Sequence, residues 1–373
     1  MKAIGIILAG GNNDGRLGAL TDHRAAAALP VGSCYRAIDF TLSNMSSSGV
    51  GKVAALTQYN SRSLRDHLMS SKWWDFGRKQ GGLFVFTPTI TAENSFWYRG
   101  TADAIYQNIP FIERFDPEYV LILSGDHIYK MDYSDMLAVH KRNEADCTIA
   151  VLRVSMEDAT RFGIMTLDEG GRICRFTEKP KQPDSDLASM GIYIFNWQKL
   201  RKYLIEDEAK EGSGNDFGHD VIPAMHEAGE RMFAYQFDGY WKDVGTIQSL
   251  WEANMDLLGD NPNFDVTDSS WKIQSRSPLA PPHYIGDNAK IDNSIIMSGC
   301  EIEGTLENSV LASSVVIGKG AVVKNSIVMQ DGFVVQNATL NCVVADKSVV
   351  ITPNKTLSGA ETYPVYIGKE IVI

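Results

Sequence analysis

The sequence predicts an α/β domain with a mostly parallel sheet, followed by a smaller domain that folds as a parallel β-helix. Strand and helix patterns alternate over residues 1–265, a proline-bearing stretch forms a linker over residues 266–283, and short aliphatic repeats fill residues 284–373. Such alternation is typical of α/β folds, whose ligands bind at the carboxyl ends of the strands. With 373 residues, the chain is long enough for two domains.

Apolar runs and helical periodicities predict the elements of the first domain. Residues 4–8 and 119–123 are continuous apolar runs, as expected of central parallel strands. Residues 101–115 carry apolar side chains at helical spacing, with Pro110 as the point where that helix bends. Further strands are predicted over residues 53–56 and 147–154, and further helices over residues 61–69 and 136–142.

The last ninety or so residues show a repeat of about six residues, which favours a β-helix. An ordinary β-sandwich with short strands is the alternative. A β-helix needs several coils to bury its aliphatic stack, so the repeat must continue over most of this region. The repeated aliphatic positions are Ile285, Ile291, Ile296 or Met297, Ile302, Val310, Ile317, Val323 and Val328.

Composition restricts the classes of partner. The net charge of −11 argues against nucleic acid or an anionic membrane as the main partner, but not against small anions held by a local basic cluster. The five cysteines are scattered without metal-ligand spacing, which fits free thiols in a reducing cytosol. The sequence shows neither a signal peptide nor an apolar run of membrane-spanning length, so we expect a cytoplasmic protein.

A glycine-bearing segment follows the first predicted strand. Gly10, Gly11 and Gly15 allow the backbone to approach a ligand closely, and exposed N–H groups can bind phosphate. Basic residues follow at Arg16 and Arg24. Because neither the P-loop nor the Rossmann fingerprint is present, the segment indicates a different way of binding a nucleotide.

Two aspartates are candidates for holding a metal ion. Asp126 follows the buried strand 119–123, and Asp243 lies in the glycine-flanked motif GYWKDVGT. A pair of carboxylates can hold one Mg²⁺ that also binds substrate phosphates. The alternative is that each aspartate caps a turn or helix.

These motifs resemble the sugar-nucleotide pyrophosphorylases, and more closely the ADP-glucose pyrophosphorylase family. The resemblance continues almost to the end of the chain and implies a nucleotidyltransferase domain followed by a left-handed β-helix. It also implies a tetramer that makes ADP-glucose and pyrophosphate from ATP and glucose-1-phosphate, with Mg²⁺, for glycogen synthesis. The matching residues are Leu8-Ala9-Gly10-Gly11, Arg16-Leu17, Leu20-Thr21, Arg24-Ala25, Pro30, Tyr35-Arg36, Ile38-Asp39-Phe40 and Leu42-Ser43-Asn44, with the later motifs WYRGTADAIYQN and SGDHIYKMDY.

The resemblance assigns roles to individual residues. Asp126 and Asp243 bind the metal, Arg16 neutralises the triphosphate and Lys179 holds the sugar phosphate. The implied nucleotide-binding residues are Leu8, Ala9, Gly10, Gly11, Gln58, Tyr98, Gly100 and Thr101. The implied sugar-phosphate-binding residues are Gly163, Glu178, Lys179, Ser189, Gly191, Tyr193, Asp216 and Trp241. For Thr101, a helix N-cap is the alternative role.

This chemistry needs no general base. The nucleophile is a phosphate oxygen of glucose-1-phosphate, whose second pKa is around 6, so it is ionised at neutral pH. His127, which follows Asp126, is therefore not expected to act as a base. Catalysis consists of positioning and charge neutralisation.

The sequence departs from the family pattern in two places. The family's Lys-Pro after Arg-Ala is replaced by Ala26-Ala27, and the loop Asn12-Asn13-Asp14-Gly15 is one residue longer. In the family that lysine reaches the nucleotide phosphates, and its loss is typical of regulatory subunits. A purely structural alternative is that residues 25–28 begin a helix, since alanine is the best helix former.

Three other functions compete with a weakly active enzyme. The first is a catalytically impaired regulatory subunit, paired in a heterotetramer with a catalytic paralogue rather than forming a homotetramer. The second is an acyltransferase that uses its β-helix to bind acetyl-CoA; it is disfavoured because the repeats carry no clear catalytic histidine. The third is a pyrophosphorylase for UTP or dTTP, which the WYRGTADAIYQN and SGDHIYKMDY motifs disfavour.

A basic stretch around residues 62–79 is either an exposed loop with ordinary charge or part of a site for an anionic effector. His23 stands where some relatives carry a lysine that contacts the activator, so the identity of the effector cannot be transferred. In the family, the residues that match Gln58 and Trp97 relay effector binding. The candidate effector residues are Arg24, Arg36, Arg78 and Lys79.

Overall fold

A computed structural model describes residues 2–11, 15–77, 81–89, 97–276 and 279–373. Its first domain is built on a large twisted sheet that helices cover on both faces. Two small two-stranded sheets accompany the large one. The strands of this domain are β1 (Ala3–Ala9), β2 (Pro30–Val31), β3 (Tyr35–Arg36), β4 (Lys52–Thr57), β5 (Gly82–Phe86), β6 (Tyr119–Ser124), β7 (His127–Tyr129), β8 (Cys147–Arg153), β9 (Gly163–Leu167), β10 (Ile173–Glu178), β11 (Leu187–Asn196), β12 (Met232–Gln236) and β13 (Trp241–Asp243).

The centre of the large sheet is parallel. β1 lies between β4 and β6 and pairs with both in parallel, and β5 extends this group on the far side of β4. Ile4, Ile6 and Ile7 are fully buried because β1 is covered on both faces, which explains its continuous apolar run. The parallel strands and their crossover helices confirm the predicted α/β fold.

The other half of the large sheet is antiparallel. β11 pairs in antiparallel fashion with β6, β8 and β9. Its register against β8 shifts between Ser189 and Tyr193, and Gly191 in this bulge has a φ of +67°. The bulge bends the strand beside the carboxyl end of β6, where it forms one wall of the cavity described below.

The helices differ from the sequence predictions in two places. The helix predicted over residues 101–115 is divided into α3 and α4, with Pro110 in the first turn of α4, where a missing N–H costs nothing. Residues 26–28 form only a single 3₁₀ turn, so the prediction that a helix begins there was wrong. The α-helices are α1 (Ala37–Ser47), α2 (Arg62–Leu68), α3 (Thr101–Tyr106), α4 (Ile109–Glu113), α5 (Tyr133–Arg142), α6 (Trp197–Glu208), α7 (Ile222–Glu227) and α8 (Ile247–Met255). Short 3₁₀ helices cover Gly18–Thr21, Ala26–Ala28, Ser71–Trp74 and Asp158–Arg161, and a π-helix covers Phe217–Val221.

The second domain is a parallel β-helix. Its strands fall into three parallel sheets, and Ile302, Ile317, Val334 and Ile351 stack from coil to coil along one of them. This architecture confirms the predicted β-helix and excludes the β-sandwich. The strands are β14 (Tyr284–Ile285), β15 (Lys290–Asp292), β16 (Ile295–Ile296), β17 (Glu301–Ile302), β18 (Thr305–Glu307), β19 (Val310–Leu311), β20 (Val316–Ile317), β21 (Val322–Lys324), β22 (Ile327–Val328), β23 (Phe333–Val334), β24 (Thr339–Asn341), β25 (Val343–Ala345), β26 (Val350–Ile351), β27 (Thr356–Ser358) and β28 (Val365–Ile367).

The two domains pack against each other through a shared apolar cluster. Leu17, Leu20 and Phe40 of the first domain belong to the same buried cluster as Met329 and Val344 of the β-helix. The indole N–H of Trp251 in α8 also donates a hydrogen bond of 2.7 Å to the carbonyl of Asn325. The orientation of the β-helix is therefore fixed by buried contacts. Among the described helices, none has both the length and the apolarity needed to cross a bilayer.

Candidate active site

A cavity of about 330 Å³ opens at the carboxyl ends of β1 and β6. We call it the Lys179 cavity. Its floor and walls come from the segment after β1, the turn after β6, the end of β10, the bulge of β11 and the π-helix. Its lining residues are Leu8, Ala9, Gly11, Ala26, Ala27, Thr101, Ser124, Asp126, His127, Glu178, Lys179, Gly191, Tyr193, Asp216, Phe217 and Gly218.

A second cavity of about 240 Å³ adjoins the first and shares Leu8, Gly11, Thr101 and Asp216 with it. We call it the Tyr98 cavity. Its other lining residues include Gly10, Gln58, Tyr98 and Gly100. The eight residues predicted to bind a nucleotide therefore all line one of these two adjoining cavities, although they come from three separate parts of the chain.

Glycines let the walls of the Tyr98 cavity approach closely. A Cβ at Gly10 would lie 3.1 Å from the Cβ of Gln58, and a Cβ at Gly100 would overlap the carbonyl oxygen of Asn215. The amide of Gln58 holds Tyr98 on both sides: it accepts from the Tyr98 N–H at 2.7 Å and donates to the Tyr98 carbonyl at 3.3 Å. The apolar face of this cavity is thus rigidly framed by hydrogen bonds.

Thr101 connects the two cavities. Its hydroxyl donates to Asp216 Oδ2 at 2.8 Å and accepts from the Phe217 N–H at 3.0 Å, while Gly100 occupies the N-cap position of α3. The N-cap interpretation of Thr101 was therefore wrong. The other oxygen of Asp216 accepts from the N–H of Gly218 at 2.8 Å. This network fixes the π-helix against α3, between the two cavities.

The Lys179 side chain lies at one end of its cavity. Lys179 has a φ of +44°, its N–H donates to the Phe162 carbonyl at 3.1 Å, and its Nζ lies 3.4 Å from Glu178 Oε1. Glu178 is held close to Gly163 and Gly218, where a Cβ on either glycine would meet its carboxyl group. Burial raises the pKa of Glu178, and the ammonium of Lys179 opposes that rise. The pair presents one cation and one acceptor to the cavity.

The remaining predicted sugar-binding residues lie around the bulge of β11. Tyr193 lines the cavity and packs on Phe217, and Ser189 accepts from the Gly191 N–H at 3.2 Å. Trp241 does not line the cavity; it packs edge-on against His127, with ring centroids 5.0 Å apart. Gly163, Ser189 and Trp241 thus support lining residues rather than facing the cavity themselves.

Asp126 and Asp243 are brought together by the small sheet of β7 and β13. Asp243 pairs with His127 in that sheet, and the Val244 N–H donates to the Asp126 carbonyl at 3.3 Å. Asp126 accepts from the Ser124 hydroxyl, and Asp243 accepts from the Gly245 N–H at 2.9 Å. Two aspartates far apart in the sequence are therefore held on adjacent strands, and Asp126 lines the Lys179 cavity.

The electrostatics of this carboxylate pair fit a divalent cation. Burial raises the pKa of Asp243, and the charge of Asp126 raises it further, whereas His127 and Arg161 oppose the rise. A divalent cation would relieve the repulsion between the two carboxylates. In the described parts of the chain, no cluster of three or more His, Cys, Asp or Glu side chains could hold a metal alone. Substrate phosphates and water would complete the coordination of Mg²⁺ here.

Two predictions about the segment after β1 have mixed outcomes. Arg16 is exposed and is not among the described residues that line either cavity. Ala26 and Ala27, which replace the family's Lys-Pro, do line the Lys179 cavity. At Ala26 the wall therefore offers a methyl group where the resemblance implies a cation.

A third and larger cavity, of about 920 Å³, lies between the domains, and we call it the interdomain cavity. Arg36 lines it, as predicted for an effector residue, but Arg24 is buried in an ion pair with Asp346 and does not line it. Arg78 and Lys79 lie outside the described residues. The basic side chains that line this cavity are His23, Arg36, Arg62, His67, Arg276, Lys347 and Lys369.

Sequence reasoning missed several of these residues. Ser124, Phe217 and Gly218 were not identified, although Ser124 begins the SGDH motif and the other two follow Asp216 directly. Lys347, Lys369 and Arg276 were missed because they are remote from the basic stretch, and no local pattern marks them. The docking of the β-helix brings Lys347 and Lys369 to the interdomain cavity, whereas the linker places Arg276 there, where its guanidinium donates to the Asp66 carbonyl at 3.0 Å.

Comparisons with known proteins agree with this arrangement. A family model described as nucleotidyl transferase matches residues 4–259, and one described as GlmU-like, C-terminal hexapeptide matches residues 282–362. A glucose-1-phosphate adenylyltransferase of Clostridium perfringens is 53% identical over 328 residues, which cover 88% of this chain and 83% of the relative. The enzyme of the same name from Desulforamulus reducens is 48% identical, covering 95% of this chain and 88% of the relative. That from Acetivibrio thermocellus is 46% identical, covering 97% and 85%.

Proposed function

The chain belongs to the glucose-1-phosphate adenylyltransferase family, and we propose that it makes ADP-glucose and pyrophosphate from ATP and glucose-1-phosphate. The observation that carries this proposal is the pair of adjoining cavities. One is narrow, framed by Tyr98 and glycines, and suits a nucleoside; the other ends in Lys179 and Glu178 and suits a phosphorylated sugar. Asp126 lines the second cavity, and the small sheet of β7 and β13 holds Asp243 on the adjacent strand.

The reaction is an in-line displacement at the α-phosphorus of ATP. An oxygen of the sugar phosphate forms the new bond to phosphorus, the bond to the bridging oxygen breaks, and pyrophosphate leaves. Lys179 holds the sugar phosphate as a compact cation, and Glu178 accepts hydrogen bonds from sugar hydroxyls. Backbone N–H groups of the segment after β1 bind the triphosphate.

We propose Mg²⁺ as the cofactor, held by Asp126 and Asp243. When bound there, it supplies charge neutralisation at the phosphates during the displacement. His127 is not needed as a base, because the attacking phosphate oxygen is already ionised at neutral pH. Its ring packs on Trp241, which supports the two-stranded sheet that carries both carboxylates.

We propose that this chain catalyses the reaction without a partner subunit, but at a low rate. Asp126, Lys179 and Asp243 are all present, which supports activity, whereas Ala26 offers no charge to the triphosphate. A donor aimed at developing charge contributes about 2.7–4 kcal/mol, or roughly 100- to 1,000-fold in rate. The comparisons give no support to a purely regulatory role, since the relatives carry the name of the enzyme.

Regulation is proposed to reside in the interdomain cavity. Its five arginines and lysines suit a small anionic effector such as inorganic phosphate, AMP or a sugar bisphosphate. Assembly is proposed to be tetrameric, either from identical chains or with a catalytic paralogue, in the cytoplasm. Light scattering on the purified chain distinguishes the two assemblies, because only the first forms a tetramer alone.

The decisive experiment measures pyrophosphate release from ATP and glucose-1-phosphate by the purified chain. We expect slow, magnesium-dependent release that Asp126→Asn abolishes. UTP and dTTP serve as competing nucleotides, and galactose-1-phosphate as a competing sugar. No release from the chain alone, with release restored by a catalytic paralogue, would establish the regulatory subunit instead. Faster release with UTP or dTTP would reject adenylyl transfer.

A further inference from the structure

Residues 15–28 form the wall between the Lys179 cavity and the β-helix. This segment contains two short 3₁₀ helices, Gly18–Thr21 and Ala26–Ala28, and no longer element. Ala26 and Ala27, near the end of this segment, line the Lys179 cavity. A segment with so little hydrogen-bonded structure of its own takes its shape from what packs against it.

The β-helix supplies much of that packing. Leu17, Leu20 and Ala26 belong to the same buried cluster as Met329 and Val344. β28 also lies directly against the first 3₁₀ helix: Gly18, at a φ of +48°, has no space for a Cβ because the Tyr366 ring occupies it. The start and the end of the segment are therefore both in contact with the last coils of the β-helix.

One directional interaction joins the segment to the β-helix between these contacts. Arg24 Nη2 lies 2.8 Å from Asp346 Oδ1, and the two side chains are 4% and 1% exposed. Neither Arg24 Nη1 nor Asp346 Oδ2 finds a hydrogen-bond partner among the described residues. Asp346 Oδ1 also accepts from the Lys347 N–H at 2.7 Å. Removing either member of the ion pair leaves the other buried without this partner. Arg24 stands two residues before Ala26.

We infer, on the premise of the adenylyltransferase function proposed above, that Asp346 is a positioning residue for the active site. It fixes Arg24, and Arg24 fixes the turn Ala26–Ala28 that forms one wall of the Lys179 cavity. The β-helix is then part of the apparatus that shapes the substrate site. This role is distinct from the subunit contacts that the resemblance implies for this domain.

The first test is Asp346→Asn in the full-length chain. We expect kcat/KM for ATP to fall about 10- to 100-fold. A substitution remote from the reacting atoms that displaces the substrate by about 1 Å can lower the rate about 100-fold. The matched control is Trp251→Phe, which removes another short interdomain hydrogen bond, to the Asn325 carbonyl at 2.7 Å. That bond does not involve residues 15–28, and phenylalanine keeps an aromatic ring in the buried cluster. This control should lower the thermal unfolding temperature while leaving kcat/KM unchanged.

A double variant separates positioning from stability. Arg24→Met combined with Asp346→Leu removes both members of the buried ion pair, and such replacements are often neutral or stabilising. We expect the unfolding temperature to return to that of the wild type while kcat/KM stays low, because the directional contact is still missing. This variant can be measured even if Asp346→Asn alone does not fold. A return of kcat/KM together with stability would overturn the inference, as would wild-type kinetics in Asp346→Asn.

A binding measurement keeps this inference separable from the proposed function. Calorimetric titration with ATP reports the affinity of the nucleotide without turnover. If the wild-type chain binds ATP but releases no pyrophosphate, the proposed activity fails, while about tenfold weaker ATP binding by Asp346→Asn still supports the positioning role. If the wild type is active and binds ATP no more tightly than Asp346→Asn, only the positioning role fails.

Discussion

The Lys179 cavity and the interdomain cavity are assembled in different ways. The first is built at strand ends, where Asp126 follows β6 and Lys179 follows β10, so each functional residue lies within a short motif. The second gathers cations from two domains: Arg36 lies at the start of α1, and Lys347 lies between two strands of the β-helix. Motifs therefore mark the first cavity, and only the packing of domains creates the second.

The largest effect on the rate is expected from the aspartates beside the strand ends, and it tests whether these residues are required for the reaction. Asp243→Asn should lower kcat about 1,000-fold or more, because it removes one of two carboxylates that neutralise and position the phosphates through the metal. The Mg²⁺ concentration that gives half-maximal rate should rise in parallel. The control is Asp184→Asn, which removes an exposed carboxylate paired with Arg175 far from the site. Equal rates in Asp243→Asn and the control would contradict the metal assignment.

The next prediction concerns Ala26, the position in the wall of the Lys179 cavity where the family has a lysine. Ala26→Lys should raise kcat up to about 100-fold, since a charge aimed at the triphosphate is worth roughly 100- to 1,000-fold in rate. Ala26→Met adds nearly the same length without charge and should give no gain. Single-turnover rates with saturating substrates measure the difference. If both variants behave alike, another cation already serves the triphosphate, or a different step limits turnover.

A smaller effect is expected at the sugar-phosphate end. Lys179→Ala should raise KM for glucose-1-phosphate about 10- to 100-fold, because a hydrogen bond to a charged group contributes about 1.5–3 kcal/mol. ATP binding should be unaffected, since Lys179 does not line the Tyr98 cavity. Lys181→Ala, two residues further along and exposed, is the matched control. A rise in the Kd of ATP instead would reassign Lys179 to the nucleotide.

The same contrast explains how much could be predicted from the sequence. Asp126 was identified because a strand end exposes its next side chain at a known edge of the sheet. Lys179 was identified through the family resemblance alone. The helix cap, considered as an alternative role for Thr101, was wrong because the actual partner of its hydroxyl, Asp216, is remote in the chain and approaches only through the π-helix. Local propensity cannot reveal such a partner.

Residues 25–28 illustrate the same limit in the backbone. Four alanines favour a helix by propensity, yet the chain leaves the 3₁₀ turn at once to pair Pro30–Val31 with Tyr35–Arg36. The Arg36 guanidinium donates to the Ala28 carbonyl at 2.6 Å, which satisfies a group that a continuing helix would have used. Tertiary contacts with the β-helix and α1 thus override the alanine pattern.

The smallest expected effect tests whether the interdomain cavity binds anions by charge alone. Burial lowers the pKa of Lys347 to about 8, and the guanidiniums of Arg36 and Arg24 lower it further, with Lys369 acting in the same direction and Asp346 opposing. Lys347 is therefore charged at about pH 7 and mostly neutral at about pH 9. Sulfate, which keeps its charge over this range, should bind several-fold more weakly at the higher pH.

Variants at two lysines of the β-helix decide whether Lys347 causes that pH dependence. Lys347→Met should weaken sulfate binding at about pH 7 and flatten its dependence on pH, because the group that titrates is gone. Lys319→Met removes an exposed lysine of the same domain that pairs with Glu303. It should change neither the affinity for sulfate nor the dependence of that affinity on pH. Calorimetric titration with sulfate at the two pH values measures each case. If Lys347→Met retains the wild-type pH dependence, another group titrates in this window. In that case the interdomain cavity would resemble the Lys179 cavity more closely. A few specifically positioned residues, and not the total positive charge, would determine which anions it binds.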